Sequence, residues 1–326
     1  MLRWVRAGGL KGGEGPALAG VVGSGAKIDD EAAEELAGAI QHAAIVAGLA
    51  GGAYAAVAGG RSNTAEGDNA TVGGGRSNSA SGEHATIAGG YGNLASESNA
   101  SVGGGYQNYA TGASATIGGG SINSADGPSA TVGGGADNSA LGGYITVGGG
   151  SWNQATGEYA TVSGGGRNRA TGEYSTVVGG SEAKASHYGE VAHASGAFEN
   201  AGDAQASQYI LRRETTSDGI WQDLYLDGSS TLFTLSGNRT VTFDIEIVGR
   251  SSGGESAGYH CWGAIELVGT TTTPLGSSCW AHGEDDAAWD VRLGVDQTKD
   301  ALLVQVLGHG ESIRWVAVMR TAEVSY

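Results

Sequence analysis

The sequence predicts a mainly β chain: a parallel β-roll or β-helix solenoid of 15-residue repeats, then a C-terminal antiparallel, jelly-roll-like β-sandwich, with a short helix ahead of both. Three observations carry this prediction. An Asn returns every 15 residues from Asn63 to Asn168, and a β-branched residue keeps the same interval from Val72 to Val177. The 326 residues include 62 Gly and only 7% aromatics, so most of the chain lacks the large side chains of an ordinary core. All three Phe and five of the seven Trp lie beyond residue 195, which places a conventional core in the last third.

In chain order, the first element is a helix over residues 28–47. Asp29, Asp30 and Glu31 put negative charge at its start, Leu36, Ile40 and Ala43 give an apolar stripe, and Gly48 ends it. The stripe suits either a three-helix seam that registers a trimer or a cap over the first repeat. Together with the residues before it, this helix makes up an N-terminal segment, 1–50.

The solenoid spans 51–182. Two residues after each Asn comes Ala, from Ala65 to Ala170, and each β-branched residue follows Thr or, once, Ser101. A Gly pair closes each unit, from Gly74-Gly75 to Gly179-Gly180, giving the consensus N-x-A-x-G-x-x-A-T-[VI]-x-G-G-x-x. Fifteen residues are too few for a helix pair and enough for one coil of two short strands and two tight turns. In Ala70-Thr71-Val72 the chain alternates as a strand does, and the Gly pair permits a left-handed corner. Coils stacked about 4.8 Å apart align equivalent residues in columns, where Asn amides hydrogen-bond up and down. Eight to ten coils make a rod of roughly 40–50 Å. An interior of Ala and Val is narrow and buries little apolar area, so identical copies are expected to lean together as a homotrimer.

Residues 183–205 form a transition, because Asn gives way to Ala183 and the consensus fades. The domain 206–326 reads as strands at Gln208–Thr215, Gln222–Leu226, Thr240–Val248, Tyr259–Val268, Trp289–Val295, Leu302–Leu307 and Ser312–Val318, separated by Gly, Asp and Asn turns. That density of strands suits a sandwich or jelly roll.

The net charge of −17 with no basic stripe argues against nucleic-acid binding. The basic start, MLRWVRAGGLKGG, has no apolar h-region, so no secretion signal is expected. Residues 43–60 are uncharged and long enough to span a bilayer. They are Gly-rich, however, and run into the repeat at Val57-Ala58-Gly59-Gly60, so no membrane insertion is expected. No phosphate-loop, zincin or kinase signature is present, and no cofactor is expected.

The repeats resemble the head repeats of YadA-like trimeric autotransporter adhesins, over about 125 residues. The resemblance implies a trimeric left-handed parallel β-roll. That family carries a signal peptide and a C-terminal membrane barrel, and the segment Arg314–Tyr326, with Arg314, Arg320 and Glu323, reads instead as a soluble strand. The last third is similar to end domains of bacteriophage tail fibres and tailspikes. The matching stretches include Gly202-Asp203-Ala204-Gln205, Tyr209-Ile210-Leu211-Arg212, Leu226-Asp227-Gly228-Ser229-Ser230 and Ser312-Ile313-Arg314-Trp315-Val316-Ala317. The pair of resemblances implies a virion tail protein that attaches to the host by surface glycan, with residues 1–50 joined to tail or adaptor proteins. A tailspike polysaccharide depolymerase (glycosidase or lyase), acting in a groove between subunits, is the enzymatic alternative. A bacterial trimeric surface adhesin is another.

The most site-like patch lies on the solenoid. Glu158 and Glu173 share one repeat position, which sets their backbones near 5 Å apart, a spacing like that of the carboxyl pair in retaining glycosidases. Tyr144, Tyr159 and Tyr174 form the adjoining column with Trp152 on a coil between, and such rings commonly stack on sugars. A solvated acidic face is the plain alternative. Cys261 and Cys279 are open to three states: free thiols, a disulfide, or metal ligands with His260 and His282. His187-x-x-Glu190-x-x-His193 has ligand residue types without a helix to present them, so a satisfied turn His is the better reading, and no metal site is assigned. Gly249-Arg250-Ser251-Ser252-Gly253 matches a hydrolase nucleophile motif by spacing alone.

Overall fold

The computed structural model describes residues 48–216 and 219–326. The helix expected over 28–47, with nearly all of the 1–50 segment, lies outside the described residues. The described chain is a parallel β-solenoid followed by antiparallel sheets.

Twenty short strands, β1 (Leu49–Ala50) to β20 (Val191–Ser195), build the solenoid. Odd-numbered strands form one ten-stranded parallel sheet, and even-numbered strands form the other. Pairing joins residues 15 apart, as in Thr64 with Ser79 and Val72 with Ile87. In each strand the first residue faces outward and the second inward, so Thr71 is exposed and Val72 buried. The Val/Ile column meets Ala columns from both sheets, and Ala65, Ala70, Val72 and their equivalents are fully covered within one chain. Ala dominates these columns because the coil is narrow, with Ile145 and Glu190 the large residues that the Ala70 column takes in buried.

The Asn column holds the turns. Asn108 Nδ2 donates to the carbonyls of Gly104 (2.9 Å) and Gly120 (3.0 Å), and its Oδ1 accepts from the backbone N–H of Asn123 (3.1 Å). Each Asn therefore satisfies mainly backbone groups. Direct amide-to-amide bonds occur as well, from Asn78 to Asn63 and from Asn123 to Asn108. The second Gly of each pair has two reasons to be Gly. At Gly75 φ is +89°, and a Cβ would lie 2.1 Å from the carbonyl oxygen of Gly90 in the next coil.

Stacking continues one coil beyond residue 182. β19 (Lys184–Ala185) pairs with β17 (Arg169–Ala170), and β20 pairs with β18 (Thr176–Ser181). Each Asn serves the coil after it, so the last coil needs none: the Ala183 N–H donates to Asn168 Oδ1 at 3.0 Å. β21 (Ala204–Thr215) then pairs antiparallel with β20 and carries the even-numbered sheet into the C-terminal region. Its further strands run in the order β29 (Ile313–Ser325), β24 (Arg239–Ser251), β25 (Ser256–Val268) and β26 (Thr271–Glu284). A smaller sheet of β22 (Gln222–Asp223), β23 (Phe233–Thr234), β27 (Asp290–Asp296) and β28 (Ala301–Leu307) completes this region. Its core includes Tyr209, Leu211, Phe233, Ile245, Trp289 and Trp315. Gly249 lies under the Trp315 ring, where a Cβ would come within 2.6 Å of it.

β26 was not expected from the sequence. It is exposed along nearly its whole length, with Thr272 its one buried residue, so it lacks the alternation that marks a half-buried strand. The last strand runs to Ser325, the longer of the two extents read from the sequence, with Thr321 and Glu323 in place of apolar residues on its inward face beyond Val318.

Candidate functional site

Each coil has two turns, one at each edge of the two-sheet coil, and each turn places a residue in the left-handed region, non-Gly at nearly every coil and Gly at Gly92 and Gly189. In one turn these residues are Tyr54, Asn69, His84, Asn99, Ser114 and Ser129, then Tyr144 (φ 58°), Tyr159 (59°) and Tyr174 (56°). Asn occupies left-handed backbone readily, whereas a large side chain there costs about 1–2 kcal/mol. The three tyrosines therefore occupy positions that the backbone alone would give to smaller residues. Their rings form a ladder, with centroids 5.0 and 4.9 Å apart and planes within 7° and 3° of parallel. Tyr188 closes it edge-on at 5.3 Å. Each ring covers part of its neighbour's face, so the ladder offers hydroxyls, edges and partial faces in register with the coils.

Glu158 and Glu173 immediately precede Tyr159 and Tyr174 and are exposed on the same turn. Desolvation in the stack, and then the Glu173 carboxylate, raise the Tyr174 phenol above its usual value. A carboxylate acceptor beside a phenol donor, repeated at coil spacing, suits a hydroxyl-rich polymer.

Trp152 is not part of this column. It occupies the left-handed position (φ 60°) of the other turn and is 60% exposed. On that second edge lies a shorter stack that sequence reasoning missed, Tyr91 on Tyr106 at 5.4 Å, with the Arg76 guanidinium 5.5 Å above Tyr91. Its sequence signal was available: Arg76, Tyr91 and Tyr106 are each 15 residues apart.

The remaining candidates have structural partners. Cys261 and Cys279 face each other on β25 and β26 and are joined by a disulfide. His187 Nδ1 meets Glu190 Oε2 at 3.1 Å and its Nε2 meets the Thr234 carbonyl at 2.7 Å, whereas His193 lies exposed on β20. Gly249 to Ser251 end β24, and Ser252 and Gly253 turn toward β25, so that motif sits in a hairpin rather than on a strand–helix elbow. The C-terminal region also has an open cleft of about 480 Å³, lined by Tyr259, Trp280, Glu284, Trp289 and Asp290 among others. Tyr259 donates to Glu284 Oε2 at 2.8 Å, and burial and that carboxylate push its phenol far up. This cleft depends on β26, which the sequence pattern did not reveal.

No family model matches the chain, and no curated protein matches it. Among solved structures, the neighbours are phage tailspike proteins. The tailspike gp49 of Acinetobacter baumannii bacteriophage Fri1, a capsular polysaccharide depolymerase, aligns at 8% identity and a TM-score of 0.25, over 78% of this chain and 57% of that one. The Acinetobacter baumannii phage AM24 tailspike aligns at 8% identity and 0.22, over 84% and 56%. The Acinetobacter phage vB_ApiP_P1 tailspike aligns at 9% and 0.24, over 81% and 66%. The chain thus spans less than two thirds of each of these neighbours, and alignments this weak assign no residue a role.

Proposed function

We propose that this chain is a tailspike or tail-fibre type attachment protein that binds host surface polysaccharide along the Tyr144–Tyr159–Tyr174 edge. The observation that supports this most is the stacked run: three consecutive coils place tyrosine in the left-handed position with rings 5.0 and 4.9 Å apart, whereas Tyr54 and His84 stand singly and the coils between carry Asn or Ser. Stability does not ask for tyrosine there, whereas a repeating polymer finds a matched row of rings and carboxylates. The protein works as a homotrimer on a virion tail, with residues 1–50 joined to tail or adaptor proteins. Outward-facing Ile210 and Val248, 51% and 58% exposed, lie opposite Val318 and Val316 of β29 from β21 and β24 and supply apolar surface for neighbouring copies.

The test uses purified protein and capsular or lipopolysaccharide from candidate hosts. Co-sedimentation is expected, and the triple variant Tyr144→Asn, Tyr159→Asn, Tyr174→Asn should lose it without a lower melting temperature. Undiminished co-sedimentation of that variant would sink the proposal. Glu158 and Glu173, beside the ladder on adjacent coils, favour a second reading, depolymerisation. It requires release of reducing ends that Glu158→Gln or Glu173→Gln abolishes.

A further inference from the structure

We propose that Asp244, Glu246, His260 and His282 form a site for a divalent transition-metal ion of the zinc type, on the outer face of the C-terminal sheet. The residues come from three adjacent strands. Asp244 and Glu246 are two apart on β24 and so share a face, and Glu246 lies directly opposite His260 of β25. His282 comes from β26, where the register with β25 slips between Gly258 and Tyr259. Gly258 pairs with Gly283 and Tyr259 with Ala281, which leaves His282 as the extra residue of a bulge. Bulges of this kind re-aim a side chain, and here the result is an imidazole turned toward Glu246.

The donor atoms already converge. His282 Nε2 is 3.4 Å from Glu246 Oε2, His260 Nε2 is 4.0 Å from Glu246 Oε1, and His260 Nε2 is 2.8 Å from Asp244 Oδ2. One donor atom from each of Glu246, His260 and His282 lies within 4.8 Å of the others. Bonds of 2.0–2.2 Å in a tetrahedron set donors about 3.4 Å apart, so small side-chain rotations bring Glu246, His260 and His282 onto one ion, with Asp244 beside them at His260 Nε2. Two imidazoles with two carboxylates suit zinc in donor type, and the carboxylates balance its charge. Among the described residues, no Lys or Arg forms an ion pair with Asp244 or Glu246, whose ionic partners are the two histidines alone. An ion bound at His260 takes the Nε2 lone pair, with the ring hydrogen on Nδ1.

The surroundings are built to hold the set. The Cys261–Cys279 disulfide ties β25 to β26 one residue from His260 and from Trp280, its cross-strand partner. Trp262 and Trp280 lie 5.3 and 5.9 Å from the His260 ring, and Trp280 lies 6.1 Å from His282. The indoles limit the rotamers open to both imidazoles and place a fluorophore beside the ion.

The experiment is a calorimetric titration of the full chain with zinc chloride, followed in parallel by tryptophan fluorescence during titration with nickel chloride. One equivalent per chain should bind, quench fluorescence in the nickel titration, and reverse with a chelator. His282→Ala should weaken that step by more than about tenfold, as should Glu246→Gln. His282 is half exposed, so its variant should keep the parent melting temperature without metal, which separates loss of the site from loss of the fold. Absence of a one-equivalent step in the parent protein, or an unchanged step in both variants, overturns the proposal.

Discussion

Asn108 makes its case through the groups it would orphan. Its amide serves the carbonyls of Gly104 and Gly120 and the N–H of Asn123, all in the covered turn of the coil. Each buried polar group left without a partner costs about 1–3 kcal/mol, so Asn108→Ala should lower stability by about 3 kcal/mol or more in urea unfolding. A loss under about 1 kcal/mol would mean that water replaces the amide. Ile122 makes the opposite case. It is a β-branched residue at φ 58°, half exposed, where the equivalent position two coils earlier is Gly92. Ile122→Asn should raise stability by about 1 kcal/mol, visible as a higher melting temperature. Residues answering to one neighbour 15 positions away were legible in the sequence: the Asn, Ala, Val and Tyr columns all stand where the period put them. The left-handed backbone beneath Tyr144, Tyr159 and Tyr174 was not, because Tyr, Asn, His, Ser and Gly all occur in that column and only dihedral angles unite them.

The junction of solenoid and C-terminal sheet carries a cluster of buried polar groups, Glu190, Gln205 and Ser207. Glu190 occupies the inward position held by Ala in most coils, and its carboxylate accepts from the Ser186 and His187 N–H groups and from Ser207 Oγ. Gln205 bonds both backbone groups of Lys184 through its side-chain amide and so caps the edge of β19. Burial pushes His187 down and Glu190 up, but their mutual hydrogen bond and attraction outweigh it. His187 ends above 6.5 and Glu190 below 4.5. The raised His187 value adds stability that is whole below pH 6.5 and fades as pH rises through the folded value. The depressed Glu190 value adds stability that is whole above pH 4.5 and fades as pH falls through its folded value. The pair therefore contributes fully between pH 4.5 and 6.5. Glu190→Gln should cost about 3–5 kcal/mol there, with the gap from the parent urea midpoint narrowing on both sides. A gap independent of pH would refute the ion pair. Sequence reasoning marked His187, Glu190 and His193 by type but missed the pairing, because Glu190 owes its burial to an interior column and to β21, which lies beyond the repeat. β26 was illegible for the opposite reason: a strand exposed on both faces has no pattern to read, so the sequence left the Cys261–Cys279 disulfide as one of three states, and the structure shows it formed.

Among the described residues, one continuous sheet runs from the solenoid into the C-terminal region through the pairing of β20 with β21. Each interior coil contacts the coil before it and the coil after it, so a coil is the unit of insertion and loss. Removing Leu94–Asn108 joins Asn93 to Tyr109 and returns every column to register: Asn to Asn, Val to Val, Gly pair to Gly pair. The rod should shorten by about 4.8 Å and unfold within a few degrees of the parent. The tyrosine edge lies downstream of the cut, and polysaccharide co-sedimentation should persist. Removing one residue fewer, Leu94–Gln107, leaves Asn108 directly after Asn93 and shifts all later columns by one. A shift of one turns inward residues outward on every following strand that must pair with an earlier one, and the Gly75-type corners no longer meet the carbonyls they were shaped for. That chain should melt far lower or fail to assemble its early coils, as circular dichroism and protease resistance would report. Equal tolerance of both deletions would mean that the coils are held by something other than column-by-column register, and the solenoid account of this chain would have to be abandoned.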